Sequence, residues 1–174
     1  FDTEVGQMVA PFAAMLLRSE AASSSQIENL TASPASILKA EYGLGDSPNS
    51  AMIVSNQNAM SAAIAVSGEM SLNSMLFMHQ TLMAKIDPQN AGLLRAEPVW
   101  IGGNAFSPHG ASYIAPEHKE VSALMDDLVE FARRIDLPAV VHAALTHAQF
   151  ETIHPFTDGN GRTGRALVHA MLYR

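Results

Sequence analysis

The chain has no cysteine. Disulfide staples and thiolate-held zinc are therefore excluded, and the fold must be held by packing. Charge is sparse, at 16% of residues, and acidic residues outnumber basic ones by 17 to 10. A net charge of -7 argues against the broad positive footprint of a nucleic-acid binder. No apolar run approaches the ~20 residues a membrane span requires, and no leader pattern opens the chain. Neither nucleic acid nor membrane is expected as a partner. The lack of cysteine agrees with a cytoplasmic location without requiring one. The chain opens on Phe1 rather than Met, and its last helical pattern stops unfinished at Arg174. It is read as a segment of a longer protein.

What is present suits one globular domain. The chain has 174 residues, 48% of them hydrophobic, enough for a proper core. The N-terminal part reads as helical, with Pro11 at a first turn and Phe12, Met15 and Leu16 at helical spacing. Ser19 to Asn29 is serine-rich and by composition a helix end or solvated loop. Ser33-Pro34 looks like a capped helix start, and residues 43–49 like a loop. A helix is expected from Asn49 or Ser50 to about Val66. Gly68 breaks it, and Ser71 caps a second helix that Asp87-Pro88 ends. The methionines of that helix suit core filling better than soft-metal binding.

Between Gly92 and Pro116 the texture changes. Glycines and prolines punctuate two β-prone pieces, Val99-Trp100-Ile101 and Ser112-Tyr113-Ile114, which read equally as a hairpin with a free edge or as an irregular surface connection. Glu117–Ile135 is an amphipathic helix. Pro138–Ile153 is strongly apolar and is expected to be the central helix. His154-Pro155 ends it, and another helix starts at Gly161 or Arg162. The fold class is all-α with one small β excursion. Residues 1–90 are read as N-terminal helices and 91–174 as the core that carries the chemistry.

That chemistry gathers in His154-Pro155-Phe156-Thr157-Asp158-Gly159-Asn160-Gly161-Arg162-Thr163-Gly164-Arg165. Gly159 and Gly161 let backbone come close to a ligand. The helix start behind them offers free N–H groups and a positive dipole end, an anion cradle. Arg162 and Arg165 share a helix face and can grip one polyphosphate. Asp158 is a hard oxygen ligand suited to Mg²⁺, and His154 can serve as a base near neutral pH. The G-x-G-x-x-G match within this stretch fails as a dinucleotide fingerprint, because a helix precedes it and the chain ends too soon after it. A plain helix–loop–helix corner would account for Asp158 and one glycine, but not for His154, Asn160 and two spaced arginines. Of the other histidines, His142 and His147 read as supporting groups, with His147 nearer the chemistry. His79, His109, His118 and His169 carry no pattern.

His154–Arg165 resembles the Fic family signature, H-x-F-x-[DE]-G-N-G-R-x-x-R. Residues 149–153 resemble its lead-in, and residues 99–103 its flap. Leu94 departs mildly from a common aromatic. The resemblance implies a Fic-like helical domain with a β-hairpin flap at 97–116 and a catalytic loop at 154–165. It implies transfer of AMP from ATP to a protein hydroxyl. His154 would be the base, and Asp158 would hold Mg²⁺. Gly159, Asn160, Gly161, Arg162 and Arg165 would cradle the phosphates, and Phe156 would anchor the loop. Ser24-Ser25-Gln26-Ile27-Glu28-Asn29 fits the family's inhibitory motif, [ST]-x-x-x-E-[GN], on a helix near 23–30. Ser24 and Glu28 would face one way, with Glu28 paired to Arg165 in place of a γ-phosphate. The expected partner is a target protein presenting a Ser, Thr or Tyr hydroxyl to the flap. Self-modification and a homodimer are left open. So are removal of AMP at the same site and a nucleotide-holding module without turnover.

Overall fold

The computed structural model describes residues 15–174 except Asp46 and Ala105. Pro11 and Phe12 lie outside the described residues. Helix α1 covers residues 15–26, followed by α2 (Pro34–Glu41), α3 (Pro48–Ala65) and α4 (Leu72–Met83). A hairpin of β1 (Trp100–Asn104) and β2 (Ser107–Ile114) interrupts the helices. Then come a short 3-10 turn, α5 (Val121–Ala132), α6 (Ala139–Ile153) and α7 (Asn160–Tyr173). Among the described residues no helix is long and apolar enough to cross a membrane.

The local signals act as their chemistry requires. The hydroxyls of Ser33 and Ser47 accept from Ser36 N and Ser50 N, and Pro34 and Pro48 take the first helical positions. Helix α3 therefore starts before Asn49, because a serine-proline start outweighs the loop composition around it. Ser71 and Ser74 exchange side-chain and backbone bonds in a closed capping box. Helix α4 stops at Met83, ahead of the expected Asp87-Pro88. Ile86 N and Asp87 N instead bond back to Met83 O and close a turn. Helix α5 is trimmed at both ends, to Val121 and Ala132. The hairpin is longer than its β-prone pieces. Gly102, Gly103 and Gly110 take positive φ, and the register shifts twice along β1, so bulges carry the pairing where composition reads as turn.

The core joins α3 to α7 through Met60, Met75, Met78, Met125, Leu128, Phe150, Phe156 and Leu167. The methionines are core filling, as expected. The central place belongs to α7 rather than α6. Helix α7 packs against α3, α4 and α6, and its Thr163, Gly164, Ala166 and Ala170 are small enough to let all three approach. Helix α6 leaves Val140, Val141 and Leu145 in solvent. Gly164 marks the closest crossing: a Cβ there would lie 2.5 Å from Glu151 Oε1 and 3.0 Å from His147.

Candidate active site

The site is built at the joint between α6 and α7. His154 caps α6 in the left-handed region, at φ 50 and ψ 62. A non-glycine residue there costs on the order of 1 kcal/mol and persists only where neighbours over-determine it. They do so here, since His154 N bonds Phe150 O at 2.9 Å and His154 O accepts from Arg95 Nε at 2.8 Å. The imidazole Nδ1 faces Glu151 O at 3.4 Å and Glu151 Oε2 at 3.9 Å. With Nδ1 carrying the proton toward Glu151, Nε2 is the basic atom. Burial lowers the His154 pKa from its ordinary 6.5, which keeps the ring neutral at physiological pH. The ring borders a small cleft shared with Pro98, Val99, Trp100 and Thr157.

Asn160 ties the loop behind His154. Its Oδ1 accepts from Phe156 N at 2.9 Å, and its Nδ2 donates to Phe156 O at 2.8 Å. Phe156 is fully buried and stacks flat on His79, with ring centroids 3.6 Å apart. His79 also receives Gly92 N on Nδ1 at 2.9 Å and meets Asp158 O through Nε2 at 3.1 Å. This pair of bonds requires the neutral ring protonated at Nε2. Burial agrees, pushing the His79 pKa down to about 4. Gly159 turns the chain at φ 76, and a Cβ there would press on Met83 Sδ at 3.0 Å.

Asp158 points its carboxylate outward, with its side chain 65% exposed, and accepts from Gly159 N at 2.6 Å. Among the described residues no cluster of three or more His, Cys, Asp or Glu could hold a metal ion by itself. A single exposed carboxylate beside an anion cradle nevertheless fits Mg²⁺, which takes one or two protein oxygens and fills its shell from water and substrate phosphates.

The anion cradle already holds an anion. Glu28 Oε1 receives Arg165 Nη2 at 2.6 Å, and Glu28 Oε2 lies 2.7 Å from Arg162 Nε. The expected Glu28–Arg165 pair is therefore present, and Arg162 joins it. The carboxylate rests on Gly161, where a Cβ would lie 2.7 Å from Glu28 Oε1. Arg162 is buried, yet its Nε and Nη1 have no hydrogen-bond acceptor among the described residues. Its approach to Glu28 is ionic, off the line of a directed bond. A buried guanidinium with unused donors aimed into a cradle suits a larger polyanion than one carboxylate.

Helix α1 ends at Gln26, short of the expected 23–30, and Glu28 stands in the turn that closes it rather than on the helix. Ser24 accepts from Arg165 Nε at 2.6 Å through its hydroxyl and from Nη2 at 3.2 Å through its carbonyl. Ser24 and Ser25 are buried, so this stretch is no solvated helix end. Asn56 on α3 donates to Ser25 Oγ and Ala21 O, both at 3.1 Å. Asn29 then takes φ 60. Leu30 N bonds Ser25 O and Asn29 N bonds Gln26 O, the pattern of a Schellman cap with a left-handed residue just past the helix. Glycine or asparagine at that position is a backbone requirement.

Residues 69–172 match the family model described as Fic/DOC family. The chain belongs to the Fic/DOC family. The Fic match takes in α4 as well as the later elements. The chain is 34% identical over 106 residues to a protein adenylyltransferase of Caenorhabditis elegans, covering 61% of this chain and 20% of that protein. It is 31% identical over 121 residues to the protein adenylyltransferase Fic of Drosophila erecta, covering 66% and 22%. It therefore spans only about a fifth of the length of these curated relatives. A Fic family protein from Desulfovibrio desulfuricans superposes with a TM-score of 0.75 at 25% identity, over 97% of this chain and 51% of the other. The all-α Fic fold with its hairpin stands as expected.

The structure brings His154, Asp158, Gly159, Asn160, Gly161, Arg162 and Arg165 of the Fic match together with Ser24 and Glu28, which precede it, at one site. Two further residues escaped the sequence reading. His79 carried no pattern, yet it stacks beneath the loop. Arg95 is buried and bonds four carbonyls. A lone basic residue in an apolar stretch was the only signal either gave. His142 is structural, with Nε2 2.8 Å from Phe131 O. His169 lies beside Glu20 at 3.6 Å, away from the chemistry.

Proposed function

We propose that this chain carries the transfer site of a protein adenylyltransferase, moving AMP from ATP to a hydroxyl of a target protein, and that Glu28 holds the site in check. The observation that carries the reading is the Glu28 carboxylate spread over Arg162 and Arg165 on the Gly161 turn. An internal anion occupies a polyphosphate cradle, one turn of chain from a neutral histidine. The names of the curated relatives support the same reaction.

In the transfer, the target hydroxyl oxygen forms a bond to the α-phosphorus. The bond from that phosphorus to the oxygen bridging toward the β-phosphate breaks, and pyrophosphate leaves. The hydroxyl proton passes to His154 Nε2, the atom left basic while Nδ1 faces Glu151. The Gly159-Asn160-Gly161 backbone and the start of α7 receive phosphate oxygens, and Arg162 and Arg165 take the charge farther along the chain. Asp158 would hold Mg²⁺, which when bound neutralises phosphate charge. The target segment lies along the hairpin 97–116, where β1 has no second strand partner among the described residues and its start borders the His154 cleft, an edge a peptide could extend. Glu28 opposes all this by claiming the guanidiniums that the β- and γ-phosphates need. ATP then sits misaligned for in-line attack, and small displacements cost large factors in rate.

The test is label transfer from α-labelled ATP with Mg²⁺. Glu28→Gly should raise auto-modification and target labelling well above the parent protein. His154→Ala in that background should remove ~10²–10⁴-fold of it while ATP still binds by calorimetry. An inert Glu28→Gly protein that binds ATP tightly would sink the transferase reading in favour of a nucleotide-holding module.

A further inference from the structure

The last carbonyls of a helix have no partners within it. At the end of α6 they are taken by the hairpin and its approach. Thr152 O accepts from Tyr113 Oη at 2.6 Å. Ile153 O accepts from Arg95 Nη2 at 3.3 Å, and His154 O from Arg95 Nε at 2.8 Å. Pro155 O accepts from Arg95 N at 2.9 Å. The same guanidinium reaches both feet of the hairpin, with Nη1 donating to Glu97 O at 3.0 Å and Nη2 to Pro116 O at 2.7 Å. Arg95 is 4% exposed, and all four of its side-chain hydrogen bonds end on backbone carbonyls. It lies at the negative end of the α6 dipole, where a cation is favoured. Glu97 and Pro116 bracket β1 and β2, while Ile153 and His154 carry the base. One planar fork thus fixes the surface that would hold the acceptor relative to the atom that would deprotonate it.

We propose that Arg95 is a positioning residue that sets the register between the hairpin 97–116 and His154. Its side-chain bonds end on Glu97, Pro116, Ile153 and His154, none of them a cradle residue, so its loss misplaces the acceptor hydroxyl against the base and leaves nucleotide binding intact. The proposal rests on the transferase reading above for its catalytic consequence, but its mechanical part does not.

Two variants in the Glu28→Gly background test it. Arg95→Met removes the fork at similar length. Arg95→Lys keeps a charge but offers a point donor that cannot span four carbonyls, and it carries the test should the first fail to fold. Calorimetry with ATP should give an unchanged Kd, while auto-modification from labelled ATP falls by roughly 10–100-fold, the scale of a small misalignment. Amide hydrogen exchange in the same proteins should speed up together in peptides covering 97–116 and 150–157, with peptides from α3 unchanged. A merely structural arginine would instead loosen α3 as well and weaken ATP binding in step with transfer, which overturns the proposal. So does exchange that changes in one of the two segments alone, or transfer that survives the loss of protection. If Glu28→Gly transfers no AMP even with Arg95 intact, the transferase reading fails, and the paired exchange still decides whether Arg95 couples the two segments.

Discussion

His154 is both strained and half-buried, and its chemistry follows from the second property. Burial disfavours the imidazolium, so its pKa lies below the ordinary 6.5. In the Glu28→Gly protein the transfer rate should be flat above neutrality and fall only on the acid side, with an apparent midpoint under 6.5 in a kcat–pH series. A midpoint at or above 6.5 would remove His154 from the role of base. Residues of this kind were legible in the sequence because the signature is contiguous. His154, Asp158 and Arg165 fall within one turn and one helix start. His79 and Arg95 were not legible. Their partners on the loop are backbone carbonyls 79 and 59 residues away in the chain, and a backbone oxygen leaves no trace in residue type.

At the scale of elements, the end of α1 matters most. The Schellman cap sets where the helix stops and so where Glu28 stands. Asn29→Ala should strain the left-handed position by ~1 kcal/mol and raise auto-modification about fivefold by loosening the clasp, while Asn29→Gly should behave like the parent. Equal activation by both would show that the cap conformation does not hold Glu28. Cap serines and prolines made most helix starts readable from composition. Helix ends were less so, since α4 stops at a turn closed by backbone bonds rather than at its proline. The hairpin strands also outran their β-prone residues, because three glycines at positive φ supply bulges that propensity counts as breaks. The expected prominence of α6 failed for a related reason. Apolar content marked it as buried, whereas small residues along α7 decide which helix others can surround.

For the whole molecule, the packing of α4 beneath the loop ties stability to pH. The unfolded chain takes up a proton at His79 near pH 6.5, and the folded protein does so only near 4. Between these values the unfolded state binds more protons, so stability is full above 6.5, falls as pH drops, and levels off below 4. The loss amounts to about 3 kcal/mol. Urea unfolding of the parent and of His79→Gln across pH 7 to 4 should give a visibly shallower acid slope for the variant. Identical slopes would mean that His79 does not titrate against its stack on Phe156. The clasp between Glu28 and the two arginines has its own molecular-scale consequence, because donor and acceptor belong to one chain. Its occupancy is governed by an effective concentration that geometry fixes, independent of how much protein is present. On the inhibitory role proposed for Glu28, dilution would leave the clasp closed. A ligand that relieved it would act by competing for the guanidiniums or by moving α1, so activity per molecule should stay constant from nanomolar to micromolar protein.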